Sequence, residues 1–147
     1  MSIFATLIFA FVVATIGVQA EQHVIHFDNK CGRGTPTLIQ GSNVLSTGSD
    51  YIINGPILGA TAYLQTGRCG FNGENCTAIN INLANTGSST QFDVTPPHTS
   101  FIAVHFEYTN GCDGKGDTCS STTCQSGNPP PVTCDASNVN LAISFCI

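Results

Sequence analysis

Val139-Asn140-Leu141-Ala142-Ile143-Ser144-Phe145 alternates apolar with small or polar residues and closes on Cys146. A period of two is the signature of a strand with one buried face, here Val139, Leu141, Ile143 and Phe145. Working back along the chain, Ala78–Leu83 obeys the same rule, with Ile79, Ile81 and Leu83 inward and Asn80 and Asn82 outward. In 101–108 the apolar face is Ile102, Val104, Phe106 and Tyr108, leaving Phe101, Ala103, His105 and Glu107 on the other. Further strands are expected over 23–27, 35–40, 51–54, 60–65 and 91–94, the first of them running toward Cys31. Short strands separated by Gly, Asn, Ser and Pro turns, with no helical periodicity between them, point to an all-β, antiparallel β-sandwich.

The segment 110–134 differs in kind, being poor in apolar residues and rich in cysteine, with Asn128, Pro129, Pro130 and Pro131 near its end. It is expected to be a loop whose order comes from disulfide closure and packing on the sandwich. No internal repeat and no linker to a second domain is evident.

Residues 1–20 carry no charged side chain, run apolar from Ile3 to Val18, and end Val18-Gln19-Ala20 before the polar Glu21-Gln22. This reads as a signal peptide cleaved after Ala20, although its start lacks Lys or Arg. The apolar run is short for a membrane span, and nothing downstream resembles one. The expectation is a secreted, monomeric protein of one domain, 21–147, with no membrane attachment after cleavage. Its 8 cysteines then belong to an oxidising compartment, where they pair as scaffold. No closely spaced Cys-x-x-Cys units suggest zinc.

Only Lys30, Arg33, Arg68 and Lys115 are basic, against 9 acids and a net charge of −5. With no basic run, nucleic acid and anionic membrane surfaces are poor partner candidates. Neutral polysaccharide and extracellular protein stay open.

Several local stretches stand out: Asn29-Lys30-Cys31 after the first strand, Gly67-Arg68-Cys69-Gly70-Phe71-Asn72-Gly73 followed by Cys76, and Phe92-Asp93-Val94-Thr95. Tyr108-Thr109-Asn110-Gly111-Cys112, Val132-Thr133-Cys134 and the closing Phe145-Cys146 complete the set. Together, in order across most of 21–147, they resemble the thaumatin-like proteins, in a reduced form without that family's disulfide-rich second domain. The resemblance implies pairing of Cys31 with Cys146, Cys69 with Cys76 and Cys112 with Cys134. Cys119 and Cys124 are left for each other, a departure from the family, in which the cysteine matching Cys119 reaches the second domain. Closing the loop from Cys31 to Cys146 is worth about 4 to 5 kcal/mol on the chain-entropy model.

Larger members of that family carry an acidic cleft that binds, and in some cases hydrolyses, β-1,3-glucan. Hydrolysis needs one protonated and one ionised carboxyl group across the sugar. By motif, the family's cleft glutamate falls at Asn80 and one aspartate at His98, so the acid pair is missing here. Asp93 matches a family aspartate, and Glu107, Asp113 and Asp117 are the acids available to rebuild negative surface. The expectation is therefore glucan binding with an attendant defence role, carried by Tyr63, Asp93 and Glu107. A structural glycoprotein or protein-binding effector is the alternative, and catalysis by Asp93 and Glu107 ranks last.

Tyr63, with Thr61 and Gln65, is the best candidate for an exposed ring against sugar. The plainer reading is a strand tyrosine with a satisfied hydroxyl. Asp113-Gly114 and Asp117 read as turn formers, too few oxygens for calcium. No cofactor is implied. A chain beginning Glu21-Gln22-His23 offers an amine, two amides and an imidazole to Cu(II) or Ni(II), unless His23 simply starts the first strand. Asn75-Cys76-Thr77 is an N-glycosylation sequon.

Overall fold

The computed structural model describes residues 20–99, 101–124 and 127–147. The expected signal segment, Ala20 apart, lies outside the described residues. The chain order is β1 (Gln22–Asn29), β2 (Thr35–Gln40), β3 (Asn43–Ser46), β4 (Tyr51–Asn54), β5 (Ile57–Gln65), β6 (Ala78–Leu83), β7 (Ser88–Asp93), β8 (Val104–Thr109), β9 (Gly116–Cys119), β10 (Val132–Cys134) and β11 (Asn140–Phe145). They form a five-stranded sheet, β4-β1-β11-β8-β9, and a six-stranded sheet, β10-β7-β6-β5-β2-β3.

Each strand buries alternate side chains because the pleat sends neighbours to opposite faces. Ile79, Ile81, Leu83 and Phe92 from the six-stranded sheet meet Phe106, Leu141, Ile143 and Phe145 from the other, all fully buried. Burial of each such side chain stabilises the fold by about 1.5–3 kcal/mol. The Phe92 and Phe106 rings touch across the sheet interface with centroids 5.0 Å apart. Pairing is antiparallel with one exception, since β1 and β11 run parallel with Ile25 opposite Leu141 and Phe27 opposite Ile143. A crossover spanning nearly the whole domain joins these two strands, as parallel neighbours require.

The disulfides are Cys31–Cys146, Cys69–Cys76, Cys112–Cys134 and Cys119–Cys124, with Cα separations of 5.0, 5.4, 6.1 and 5.4 Å. The first three are the pairs that the resemblance implies, and the fourth joins the two cysteines left over, the departure from the family pattern.

Two expectations need correction, and one strand was not expected. The segment 110–134 is more than a loop, because β9 extends the five-stranded sheet beside β8 and β10 extends the six-stranded sheet beside β7. A Cβ on Gly116 would collide with the Phe106 carbonyl oxygen, so glycine is what lets β9 approach β8. The strand expected from 101 begins at Val104, where pairing with Phe145 starts. Phe101 instead stands out at 59% exposure. Finally, β3 is a short edge strand with exposed Asn43 and Val44, so it shows no alternation to read.

Candidate functional site

The outer face of the six-stranded sheet is built by the residues that alternate with its core positions. On β6, burying Ile79, Ile81 and Leu83 turns Asn80 and Asn82 outward. On β7, burying Ser88, Thr90 and Phe92 turns Ser89, Gln91 and Asp93 outward. Register places Thr61 opposite Asn80 and Asn80 opposite Gln91, a hydroxyl and two amides in one row across β5, β6 and β7. Asn82 and Ser89 form a second row. Asn82 also accepts the Gly59 N–H at 2.8 Å, where Gly59 takes a positive φ of 69° in the bulge that bends β5.

Asp93 organises one end of this face. Its Oδ1 accepts from the Thr95 hydroxyl at 3.0 Å and from Asn128 Nδ2 at 3.3 Å. Its Oδ2 lies 3.4 Å from Asn80 Nδ2 and 3.7 Å from His98 Nε2. The positions that motif matching assigned to the family cleft, Asn80, Asp93 and His98, thus meet in space. Asn128 belongs to the same cluster and was not foreseen, because it arrives from the 110–134 segment. Its own Oδ1 accepts the Val94 N–H at 2.7 Å, and Gln91 donates to the Pro129 carbonyl at 2.8 Å.

On the other side, the loop from Cys69 to Cys76 folds onto the sheet. His98 Nδ1 sits 2.9 Å from the Gly73 carbonyl, which can only accept, so this nitrogen carries the proton. Glu74 in the same loop accepts from Asn72 Nδ2 at 3.0 Å and Asn72 N at 2.9 Å. The Asn72 side chain is the main cause holding the Glu74 carboxyl below its ordinary range, and the nearby His98 adds to it. A carboxyl biased toward ionisation is poorly suited to act as a general acid.

Tyr63 does not present an exposed ring. It is 2% exposed, packed under Gly73, and its hydroxyl donates to the Phe71 carbonyl at 2.7 Å. Burial, followed by the Glu74 charge, pushes its hydroxyl above the usual tyrosine value. Strand alternation puts Tyr63 on the outer face of β5, and the loop that follows the strand, closed by Cys69–Cys76, folds back to cover it.

Asp93 and Glu107 cannot act as a pair. Glu107 alternates with buried Phe106 and Tyr108 on β8, so it leaves the five-stranded sheet on the opposite side of the sandwich, with the Phe92–Phe106 contact between them. Its neighbour there is His105 Nε2 at 3.8 Å.

His23 is fully buried, with Nδ1 2.6 Å from the Val139 carbonyl and Nε2 3.1 Å from Glu21 Oε1. The nitrogen needed for an amino-terminal copper chelate is therefore donated to a carbonyl, and His23 acts as a strand anchor. Among the described residues, no group of three or more His, Cys, Asp or Glu side chains is placed to hold a metal. No helix among them is long and apolar enough to cross a membrane. Asn75 of the sequon is exposed, whereas Thr77 is buried and donates to the Thr99 carbonyl at 3.2 Å.

No protein-family model matches the chain, and no curated protein matches it. Among solved structures, a thaumatin-like xylanase inhibitor superposes with a TM-score of 0.55 at 15% identity, covering 85% of this chain and 99% of that one. With two packed sheets and four internal disulfides already described, that match shows the protein to be an all-β sandwich of thaumatin-like fold.

Proposed function

We propose that this is a secreted protein that binds neutral cell-wall polysaccharide, β-1,3-glucan first among them, on the outer face of the six-stranded sheet. The carrying observation is the uncharged row Thr61, Asn80 and Gln91, with Asp93 and Asn128 at its end. Each amide both donates and accepts, as does a sugar hydroxyl, so such a row can exchange hydrogen bonds with a chain of sugars. The burial of Tyr63 leaves recognition to amides and hydroxyls instead of ring stacking. Growth inhibition of organisms that display the polymer would be a consequence of this binding. The disulfides support an extracellular setting.

Co-sedimentation with insoluble β-1,3-glucan, with cellulose and chitin as controls, tests the reading. Selective depletion by glucan is expected, and Asn80→Ala with Gln91→Ala should weaken it roughly ten- to thirtyfold, at about 1 kcal/mol for each lost hydrogen-bonding side chain. No depletion from any of the polymers overturns it. A second reading, action on another protein, is favoured by the structural neighbour, which is named as a xylanase inhibitor. Inhibition of a panel of secreted glycanases would identify that outcome.

A further inference from the structure

A second feature lies at one end of the sandwich. Pairing of Thr35 with Gln65 puts Arg33 beside Thr66 and Arg68, and the starts of β6 and β8 bring Thr77 and Phe101 to the same end. Between them is a cleft of about 290 Å³, also lined by Asn75 and Leu64. That volume falls near the lower limit of small-ligand pockets, roughly 300–1,000 Å³. Half of the basic residues in a chain of net charge −5 face this cleft. Among the described residues the ion pairs are Glu21–His23, Asp28–Lys30, Asp50–His26, Asp93–His98 and Glu107–His105, and neither guanidinium belongs to one. The exposed Arg68 stands 5.7 Å from the centroid of the exposed Phe101 ring, within reach of a cation–π contact at the mouth of the cleft.

We propose that this cleft binds a carboxylate-bearing sugar, a hexuronate unit of an acidic polysaccharide. The arginine fork matches a carboxylate. Phe101 offers an apolar surface for the C–H face of a pyranose, and Thr66 and Asn75 offer polar groups at the rim. A bare anion would use the arginines and leave the aromatic and apolar lining idle, whereas a uronate uses both. The site is separate from the glucan-binding face and does not depend on that reading.

The test is titration calorimetry on the full chain, disulfides intact, produced in a host that does not N-glycosylate so that no glycan at Asn75 shares the cleft. The probes are a galacturonate oligomer, its methyl ester and citrate. Expected are binding of the oligomer that weakens with added salt, no binding of the ester, and a loss of about tenfold or more in both Arg33→Gln and Arg68→Gln. Phe101→Ala should weaken the oligomer and leave any citrate binding unchanged, while glucan depletion stays at the wild-type level in all of these variants. Equal binding of oligomer and ester, an arginine variant that binds as wild type, or citrate bound as tightly as the oligomer would overturn the proposal. A variant that loses glucan depletion as well is checked by its unfolding midpoint. If that midpoint is unchanged, the two sites are one and the proposal of a separate uronate site fails.

Discussion

Residues 66–77 and residues 110–134 both fall outside the apolar alternation of the sandwich, and both are closed by disulfides, Cys69–Cys76 in one and Cys112–Cys134 with Cys119–Cys124 in the other. The first gains its order from side chains that cap the backbone. Gln65 Oε1 accepts from Gly67 N at 2.8 Å, Glu74 from Asn72 N at 2.9 Å, and Tyr63 donates to Phe71 from below. The second contributes a strand to each sheet, and Tyr108 ties it to the core. The Tyr108 hydroxyl donates to the Val132 carbonyl at 2.9 Å and lies 3.0 Å from the Thr90 hydroxyl. The shorter segment thus covers a finished sheet, while the longer one completes both. Similar composition therefore says little about whether a cysteine-rich stretch is an accessory or a structural part.

The disulfides should separate the two segments most strongly. Replacing Cys112 and Cys134 by Ser should cost about 3 kcal/mol and replacing Cys69 and Cys76 by Ser about 2 kcal/mol, from the loops closed. Urea unfolding measures both. Hydrogen exchange should then show β9 and β10 still protected in the first variant, and the amides from Gly70 to Cys76 unprotected in the second. Loss of protection in β9 and β10 would break the comparison.

A smaller contrast separates the tyrosines. Tyr108→Phe leaves the Val132 carbonyl and Thr90 hydroxyl short of a partner in the core and should cost about 2 kcal/mol. Tyr63→Phe should cost about 1 kcal/mol, since Phe71 is a surface residue whose carbonyl can turn to water. Equal losses in thermal unfolding would mean that the loop is as integral to the fold as the paired strands.

The smallest effect is set by pH. Glu74 is held below its ordinary carboxylate value in the folded protein, chiefly by Asn72. A depressed folded value means that the stabilisation is present above the unfolded value, about pH 4.3, and is lost as the pH falls through the folded one. Amides of 70–76 should exchange faster in that acid range, and Glu74→Gln should remove the pH dependence while β9 keeps its own protection. Unchanged exchange through the window would count against side-chain capping by Glu74.

The core strands were legible because Ile79, Ile81, Leu141, Ile143 and Phe145 alternate over enough residues to fix a face. β9, Gly-Asp-Thr-Cys, has no such alternation, and its pairing depends on the absence of a Cβ at Gly116. Asn80, Asp93 and His98 could be matched singly by motif, but their convergence depends on strand register and on the turn that Thr95 makes with Asp93. Tyr63 was open to two readings for the same reason: alternation tells which way a side chain leaves a sheet, and another segment decides whether that side is covered. Asp93 and Glu107 show the converse, similar acids on adjacent-looking strands that belong to different sheets.

The parallel contact between β1 and β11 also fixes an order of events during synthesis. Of the described strands β1 is made first and its central neighbour last, with Cys31 and Cys146 separated by 115 residues. The antiparallel run β2-β5-β6-β7 can assemble as it emerges, since each of its strands pairs with the next. The other sheet must wait for the final segment. Throughout that interval Cys31 is a thiol without its native partner, while cysteines that pair locally appear beside it. Of the bridges in this protein, Cys31–Cys146 closes the longest loop, and the two thiols can be oxidised to it only once β11 lies beside β1.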